Sequence, residues 1–368
     1  MITSMISSMI RPMITSMVNP DSGGGITKGT RILLIGDSTT YGRGASDAHS
    51  AGVVDAQIDS PCRQLSRKLT ASGVSANSNS VVGLGNNTNA STVEAYFGAT
   101  PDISVTLNGW SQLGFDSIGG DLYLSSFSDI LNFSFDNVNK GAIGLPIRTY
   151  GIIQYRVNGG SWTQVNESGT DDLLRIDIDF GSVGAHTVEL QRVSGGTIYA
   201  SYVEAWDDSA TVIVVPWGAR GYTSGQLADT ARPWSYQSAL SHVPFDAVVL
   251  NIGINDVRPG GSGINQATYE ANVTTYVNAI KAANANAVIF IQIPNDISTG
   301  LSYLPVAITS LADTLGLILL DTRLAVNMST YAIADAAGNM FDLLHPTDTG
   351  YSSQYDYFTP IIKSTLGG

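Results

Sequence analysis

Five short, almost uninterrupted apolar runs constrain this chain most: residues 32–35, 211–215, 247–252, 287–293 and 317–320. A strand with one wet face alternates apolar and polar residues, whereas a strand covered on both faces does not need to. The runs therefore predict a five-stranded parallel sheet between two layers of helices. Helical patterns lie between them. Ser60-Pro61 forms an N-cap and first-turn pair for a helix over 62–70. Val273, Tyr276, Val277 and Ile280 mark the buried stripe of a helix over about 268–284. A third helix is expected at 304–315, and a last one after His345.

Residues 91–206 break this rhythm. They are rich in Gly, Asn, Ser and Thr, and segments 150–157, 173–180, 187–193 and 197–203 alternate as half-buried strands do. Asn158-Gly159-Gly160 and Ser194-Gly195-Gly196 read as hairpin turns between them. The expected organisation is a discontinuous α/β domain, 28–90 and 207–368, interrupted by a β-sandwich at 91–206.

Ahead of both, residues 1–20 repeat a Met-Ile tetrad and end in Pro20, and Gly23-Gly24-Gly25 follows as a flexible joint. Pro12 and Pro20 oppose one continuous helix, and as a strand the segment would have an apolar residue to cover on each face. Residues 1–27 therefore form an arm for a second subunit or a larger assembly, or else a mobile tail.

Charge narrows the partners. With 18 basic and 31 acidic residues the net charge is −13, which disfavours nucleic acid and anionic membrane surfaces. The single Cys62 permits no intrachain disulfide and no thiolate cluster for zinc. No run of about 18 apolar residues could span a bilayer. The first residues lack the basic start and apolar core of a secretory signal, so the compartment stays open, with virion attachment or a non-Sec route as ways out.

Four short pieces carry chemistry, the first three where the end of a parallel strand should open into a loop, the usual ligand edge of such sheets. The first is Gly36-Asp37-Ser38 after the first run. A Ser hydroxyl is a weak nucleophile that needs a base within hydrogen-bond reach. The second is Gly218-Ala219-Arg220-Gly221-Tyr222, whose glycines let a backbone N–H approach a ligand. The third is Gly253-Ile254-Asn255-Asp256, where an Asn amide could meet a developing oxyanion. The fourth is Asp342-Leu343-Leu344-His345-Pro346, a base with its own orienting carboxylate. Alone, each fragment reads equally well as an ordinary turn.

Together and in this order they resemble the SGNH (GDSL-type) hydrolase family. The resemblance covers about 28–90 and 207–368 and implies a flavodoxin-like three-layer α/β/α domain without metal or organic cofactor. It makes Ser38 the nucleophile, His345 the base and Asp342 its orienter, with the Ser38 and Gly221 N–H groups and the Asn255 amide as oxyanion hole. The second block departs from the family pattern: an Asn often precedes its glycine, whereas this chain has Trp217-Gly218, leaving Gly218 as an alternative to Gly221.

Asp37, Tyr41, Trp217, Tyr222 and Arg258 are the candidate substrate contacts. The aromatic faces suit sugar rings, although the same rings could be core and Asp37 could bond loop N–H groups instead. Arg220 and Arg258 flank the oxyanion loops, for an anionic substrate or for surface salt bridges. His49, His186 and His242 read as structural. The inserted sandwich resembles the jelly-roll modules of carbohydrate-active relatives, so the expected activity is O-acetyl removal from a polysaccharide. The alternatives are a broad acyl-ester lipase or esterase, and a virion-associated glycan-binding protein with a vestigial site. The Met-Ile arm faintly resembles those of phage tail-associated proteins.

Overall fold

In the computed structural model, which describes residues 26–45, 59–78, 80–82, 102–117, 120–125, 128–147 and 151–367, the parallel sheet is built around one fully buried strand. β1 (Thr30–Gly36) is buried at every position. Ile32 and Leu34 point into one apolar layer, and Leu33 and Ile35 into the other. Each such side chain contributes about 1.5–3 kcal/mol on leaving water. This two-sided burial explains the absence of alternation in the sequence.

The other parallel strands are β2 (Ala76–Asn77), β3 (Val212–Gly218), β4 (Ala247–Asn251), β5 (Val288–Ile293) and β6 (Ile318–Asp321). Across the sheet they run β6-β5-β4-β1-β3-β2, all parallel. Among the described residues the sheet thus has six strands where five were expected. The additional edge strand is two residues long and pairs only with Val212 and Ile213, too short to show any hydropathy pattern. The chain leaves β1 toward β3 on one side and β4 on the other, which makes the carboxyl end of β1 a switch point.

Helices cover both faces. Those named below are α1 (Ser38–Tyr41), α2 (Pro61–Ala71), α3 (Ser224–Leu227), α4 (Tyr236–Ala239), α5 (Ile254–Val257), α6 (Gln266–Ala283), α7 (Leu304–Leu315), α8 (Tyr331–Ala336) and α9 (Asp348–Thr365). The stripe Val273, Tyr276, Val277 and Ile280 of α6 is buried beside the core residues of α7. Cys62, Leu65 and Leu69 of α2 meet Tyr355, Phe358 and Ile362 of α9 on the opposite face. Local signals set the ends: Asn265 caps α6 through Thr268 N, and Gly316 closes α7 in the left-handed region. Ser60 precedes α2 without a side-chain cap bond, and Pro61 alone starts that helix.

Residues between β2 and β3 form two antiparallel sheets. One runs Ser80–Val82, Tyr202–Trp206, Ile130–Ile147, Asp172–Gly195, Gly151–Val157 and Thr163–Asn166, with Ile103–Thr106 paired to the long strand Ile130–Ile147. The other comprises Ile198–Ala200, Gly120–Ser125 and Ser111–Ser117. The first antiparallel strand begins at Ser80, ahead of the boundary drawn from composition at residue 91. Segments 173–180 and 187–193 are not separate strands: they belong to the single strand Asp172–Gly195, bent by register shifts between Asp179 and His186. Asn158-Gly159-Gly160 does turn a hairpin, with Asn158 and Gly159 at positive φ. Ser194-Gly195-Gly196 does not. Ile198–Ala200 pairs with Gly120–Ser125, so the glycines carry the chain from one sheet to the other.

The N-terminal arm, the glycine joint and His49 lie outside the described residues. Among the described residues no helix is long and apolar enough to cross a membrane.

Candidate active site

The end of β1 turns directly into α1. Asp37 is the N-cap, and its Oδ1 accepts from Thr39 N at 2.9 Å and from Thr39 Oγ1 at 2.8 Å. This turn places Ser38 at the first position of a helix, where a backbone N–H has no intrahelical acceptor. Gly36 is required here because a Cβ would lie 1.9 Å from Asn251 O. Gly42 then stops α1 at φ 98°.

The Ser38 hydroxyl lies 2.9 Å from His345 Nε2, although 307 positions separate the two residues. Both are buried. On the other ring edge, His345 Nδ1 is 2.9 Å from each Asp342 oxygen. Asp342 Oδ1 also accepts from Leu344 N and His345 N, both at 2.8 Å. The three-residue spacing is therefore an Asx-type turn that folds the imidazole over its carboxylate. An ionised carboxylate only accepts, so Nδ1 carries the proton and Nε2 is left to accept from Ser38.

Burial alone would raise the Asp342 carboxyl. The His345 ring and the two amides outweigh it and hold the group at about 2. Asp37 shows the opposite balance. Complete burial pushes it up to about 6, against the two Thr39 bonds and the nearby His345, with Asp256 adding a further push upward. Its Oδ2 has no hydrogen-bond partner among the described residues.

The Asp342–His345 loop and the helix that follows it are anchored by three bonds. Asn295 Nδ2 donates to Leu344 O at 2.8 Å, Ser298 N to Leu343 O at 3.1 Å, and Tyr351 OH to Arg43 O at 2.8 Å. The last bond ties α9 to the loop that follows α1. None of these three anchors follows from a sequence signal, because each joins segments far apart in the chain.

Asn255 is buried one residue into α5. Its Nδ2 donates to Tyr222 O at 2.8 Å, and its Oδ1 accepts from Arg258 Nε at 2.7 Å. The adjacent Asp256 binds Ser224 N at 3.0 Å and Ser224 Oγ at 2.9 Å, fastening the loop after β3 to the loop after β4. Burial raises the Asp256 carboxyl above its usual range against these bonds.

The two glycines of the second piece differ. Gly218 ends β3 in register with Gly36, and a Cβ there would sit 2.2 Å from Tyr41 N. Gly221 lies in the loop at φ 79° with open space around it, and its N–H meets no acceptor among the described residues. Gly218 is thus a packing position, and Gly221 is the one with an uncommitted donor.

Four of the expected substrate contacts are corrected by burial. Asp37 is fully enclosed, Trp217 and Tyr222 are each 1% exposed in the α/β core, and Tyr41 is 7% exposed against the antiparallel core. Trp217 and Tyr222 pack on Tyr236 at ring distances of 6.1 and 5.0 Å. None of the rings offers a sugar a face on which to stack. Arg258 is half-buried and spends Nε on Asn255 in place of a surface carboxylate. His186 is structural, held by Asn158 at 2.9 Å and Ser182 O at 2.8 Å and stacked on Phe180. His242 lies 3.6 Å from Asp172.

Residues 182–352 match the family model described as GDSL-like Lipase/Acylhydrolase family, a span that includes Asn255, Asp342 and His345 and leaves Ser38 outside. Among solved structures, the chain is similar to one described as a peptidoglycan O-acetylesterase in action. The identity is 15%, the TM-score 0.68, and 92% of each chain is covered. A family two carbohydrate esterase from Clostridium thermocellum matches at 12% identity and TM-score 0.35, over 73% of this chain and 99% of that one. No curated protein matches in sequence. The parallel sheet, the ordered motif blocks and the matched span agree: residues 182–352 are similar to the GDSL-like lipase/acylhydrolase family.

Proposed function

We propose that this protein is a serine esterase that removes O-acetyl groups from a polysaccharide. The observation that carries the hydrolytic reading is the unbroken relay Ser38 Oγ, His345 Nε2, His345 Nδ1, Asp342, with 2.9 Å at each contact. In this reading Ser38 Oγ attacks the ester carbonyl carbon while its proton passes to His345 Nε2. The carbonyl oxygen becomes an oxyanion that accepts from the Ser38 and Gly221 backbone N–H groups and from Asn255 Nδ2. Collapse breaks the bond to the sugar oxygen, which takes the proton from His345, and leaves acetyl-Ser38. Water then gives a proton to His345 and attacks the acetyl carbon, and acetate leaves as Ser38 regains its proton. Asp342 stays ionised throughout and steadies the imidazolium.

The substrate class rests on the overall likeness to a peptidoglycan O-acetylesterase and on the antiparallel insertion. The buried rings of Tyr41, Trp217 and Tyr222 lend it nothing. A broad acyl-ester esterase is the second reading, favoured by Leu343, an apolar side chain 61% exposed between Asp342 and His345. Acetate release from O-acetylated peptidoglycan and other acetylated bacterial polysaccharides is measured beside turnover of nitrophenyl esters of increasing chain length. Glycan deacetylation with turnover falling beyond acetyl supports the first reading, and a long-chain optimum supports the second. Full activity in Ser38→Ala would refute both.

A further inference from the structure

Asn255 is held at both ends of its amide, and the two contacts leave its orientation no freedom. Arginine has donors and no acceptor, so the atom that meets Arg258 Nε at 2.7 Å must be the amide oxygen. The atom 2.8 Å from Tyr222 O must then be the nitrogen. An amide nitrogen carries two protons, and the Tyr222 carbonyl takes one. The second remains for a substrate.

The backbone around Arg258 is folded to make this contact. Ser262 N donates to Asn255 O and Gly261 N to Arg258 O, each at 2.9 Å. A Cβ at Gly261 would lie 2.1 Å from Asn255 O, so the turn closes only around a glycine. Ser262 Oγ completes it on Asp256 Oδ1 at 3.3 Å. Among the described residues no carboxylate pairs with Arg258. In a chain with 31 acidic residues and a net charge of −13, this guanidinium is directed at a neutral amide.

We propose that Arg258 is a positioning residue for the ester hydrolysis described above: it locks the Asn255 amide with N–H toward the oxyanion and polarises it. A cation on the amide oxygen draws electron density from the nitrogen and makes the remaining N–H a stronger donor. Its benefit falls on the tetrahedral intermediate, whose charge is fuller than that of the ground-state carbonyl. The inference rests on Asn255 acting in the oxyanion hole.

The test is a double-mutant cycle on nitrophenyl acetate hydrolysis with Arg258→Met, Asn255→Ala and the pair combined. Arg258→Lys and Arg258→Gln run as donor-retaining probes, and circular dichroism establishes which variants fold. Arg258→Met should lower kcat by roughly 10-fold with KM changed less than about twofold, since only a transition-state interaction weakens. Arg258→Lys should recover part of the loss. The double variant should be no slower than Asn255→Ala, because an arginine that works through Asn255 has nothing left to act on. Losses that multiply, or a raised KM at unchanged kcat, overturn the proposal; the second would mean that Arg258 contacts substrate itself. If Arg258→Met does not fold, the cycle is read from Arg258→Ala under the same criteria. Turnover that survives Ser38→Ala would sink the esterase reading itself. A multiplicative cycle in an enzyme that needs both Ser38 and Asn255 would sink only the role of Arg258.

Discussion

Arg31 Nη2 and Glu204 Oε2 lie 2.8 Å apart in the interior, 173 positions apart in sequence, and their contact joins the first parallel strand to the antiparallel insertion. Arg175 approaches the other carboxylate oxygen at 2.6 Å, and the Arg31 guanidinium lies 4.7 Å from the Trp206 ring centroid. Burial would raise the Glu204 carboxyl, but the two guanidinium groups hold it below its ordinary range. Its stabilising contribution is therefore present above the unfolded carboxylate range and lost as acid protonates it.

Glu204→Gln leaves the buried Arg31 guanidinium without its counter-charge and Arg175 with only the exposed Asp177. The expected cost is about 3–5 kcal/mol, typical of removing one partner from a buried ion pair. Urea unfolding at neutral pH, compared with wild type, measures it. A variant within about 0.5 kcal/mol of wild type would mean that water or rearrangement satisfies both arginines.

Asp37 gives an opposite dependence on pH. A carboxyl raised from 3.8 to about 6 binds its proton more tightly in the folded state, so its contribution is fully present below the unfolded value and is lost as pH rises through about 6. Asp37→Asn keeps an oxygen for Thr39 N and Oγ1 and removes the buried charge. The variant should gain stability relative to wild type at pH 8 more than at pH 4. Urea midpoints at the two pH values provide the check, and an equal difference at both would contradict the burial argument.

Asn255→Ala removes the side-chain donor that we place in the oxyanion hole. The expected loss is about 10²–10³ in kcat, as for other oxyanion donors. Steady-state kinetics on nitrophenyl acetate would show it, with KM little changed. A loss confined to KM would instead assign Asn255 to ground-state binding.

Asp342→Asn tests the orienter separately from the base. The amide can present an N–H₂ to the imidazole and favour the wrong tautomer, with an expected fall in kcat of about 10⁴. The pH profile is the second readout: activity that depends on ionisation of this carboxyl disappears with it. A variant as active as wild type would show that the two backbone N–H groups on Asp342 Oδ1, and not its charge, set the geometry of the loop.

How far the chain could be read from its letters depended on range. β1, β3, β4, β5 and β6 are legible because burial on both faces leaves continuous apolar runs, and α6 and α7 because their stripes are regular. β2 is invisible, since a two-residue strand has no period. The bend that makes one strand of Asp172–Gly195 reads as a gap, and so it suggested two segments. At the site, His345 stands out because the chain has only 4 histidines, and Ser38 and Asp342 because they sit in distinctive short motifs. Tyr41, Trp217 and Tyr222 stay ambiguous in the sequence because a ring at a strand end can point into a cleft or into the core, and only packing decides. Arg258 showed its charge but not its partner, and the Arg31–Glu204 contact needed the fold itself.

The separation of Ser38 from His345 has a consequence for synthesis. A ribosome releases residues in order, at about 5–20 per second, so the growing polypeptide displays its hydroxyl and the Asn255 amide well before any imidazole can reach them. Residues 342–345 and the helix whose Tyr351 fastens to Arg43 emerge after every strand of the parallel sheet. In the proposed reaction, hydrolytic competence therefore waits for residues 342–351, and products stalled before them would be silent toward esters however well their sheet had formed.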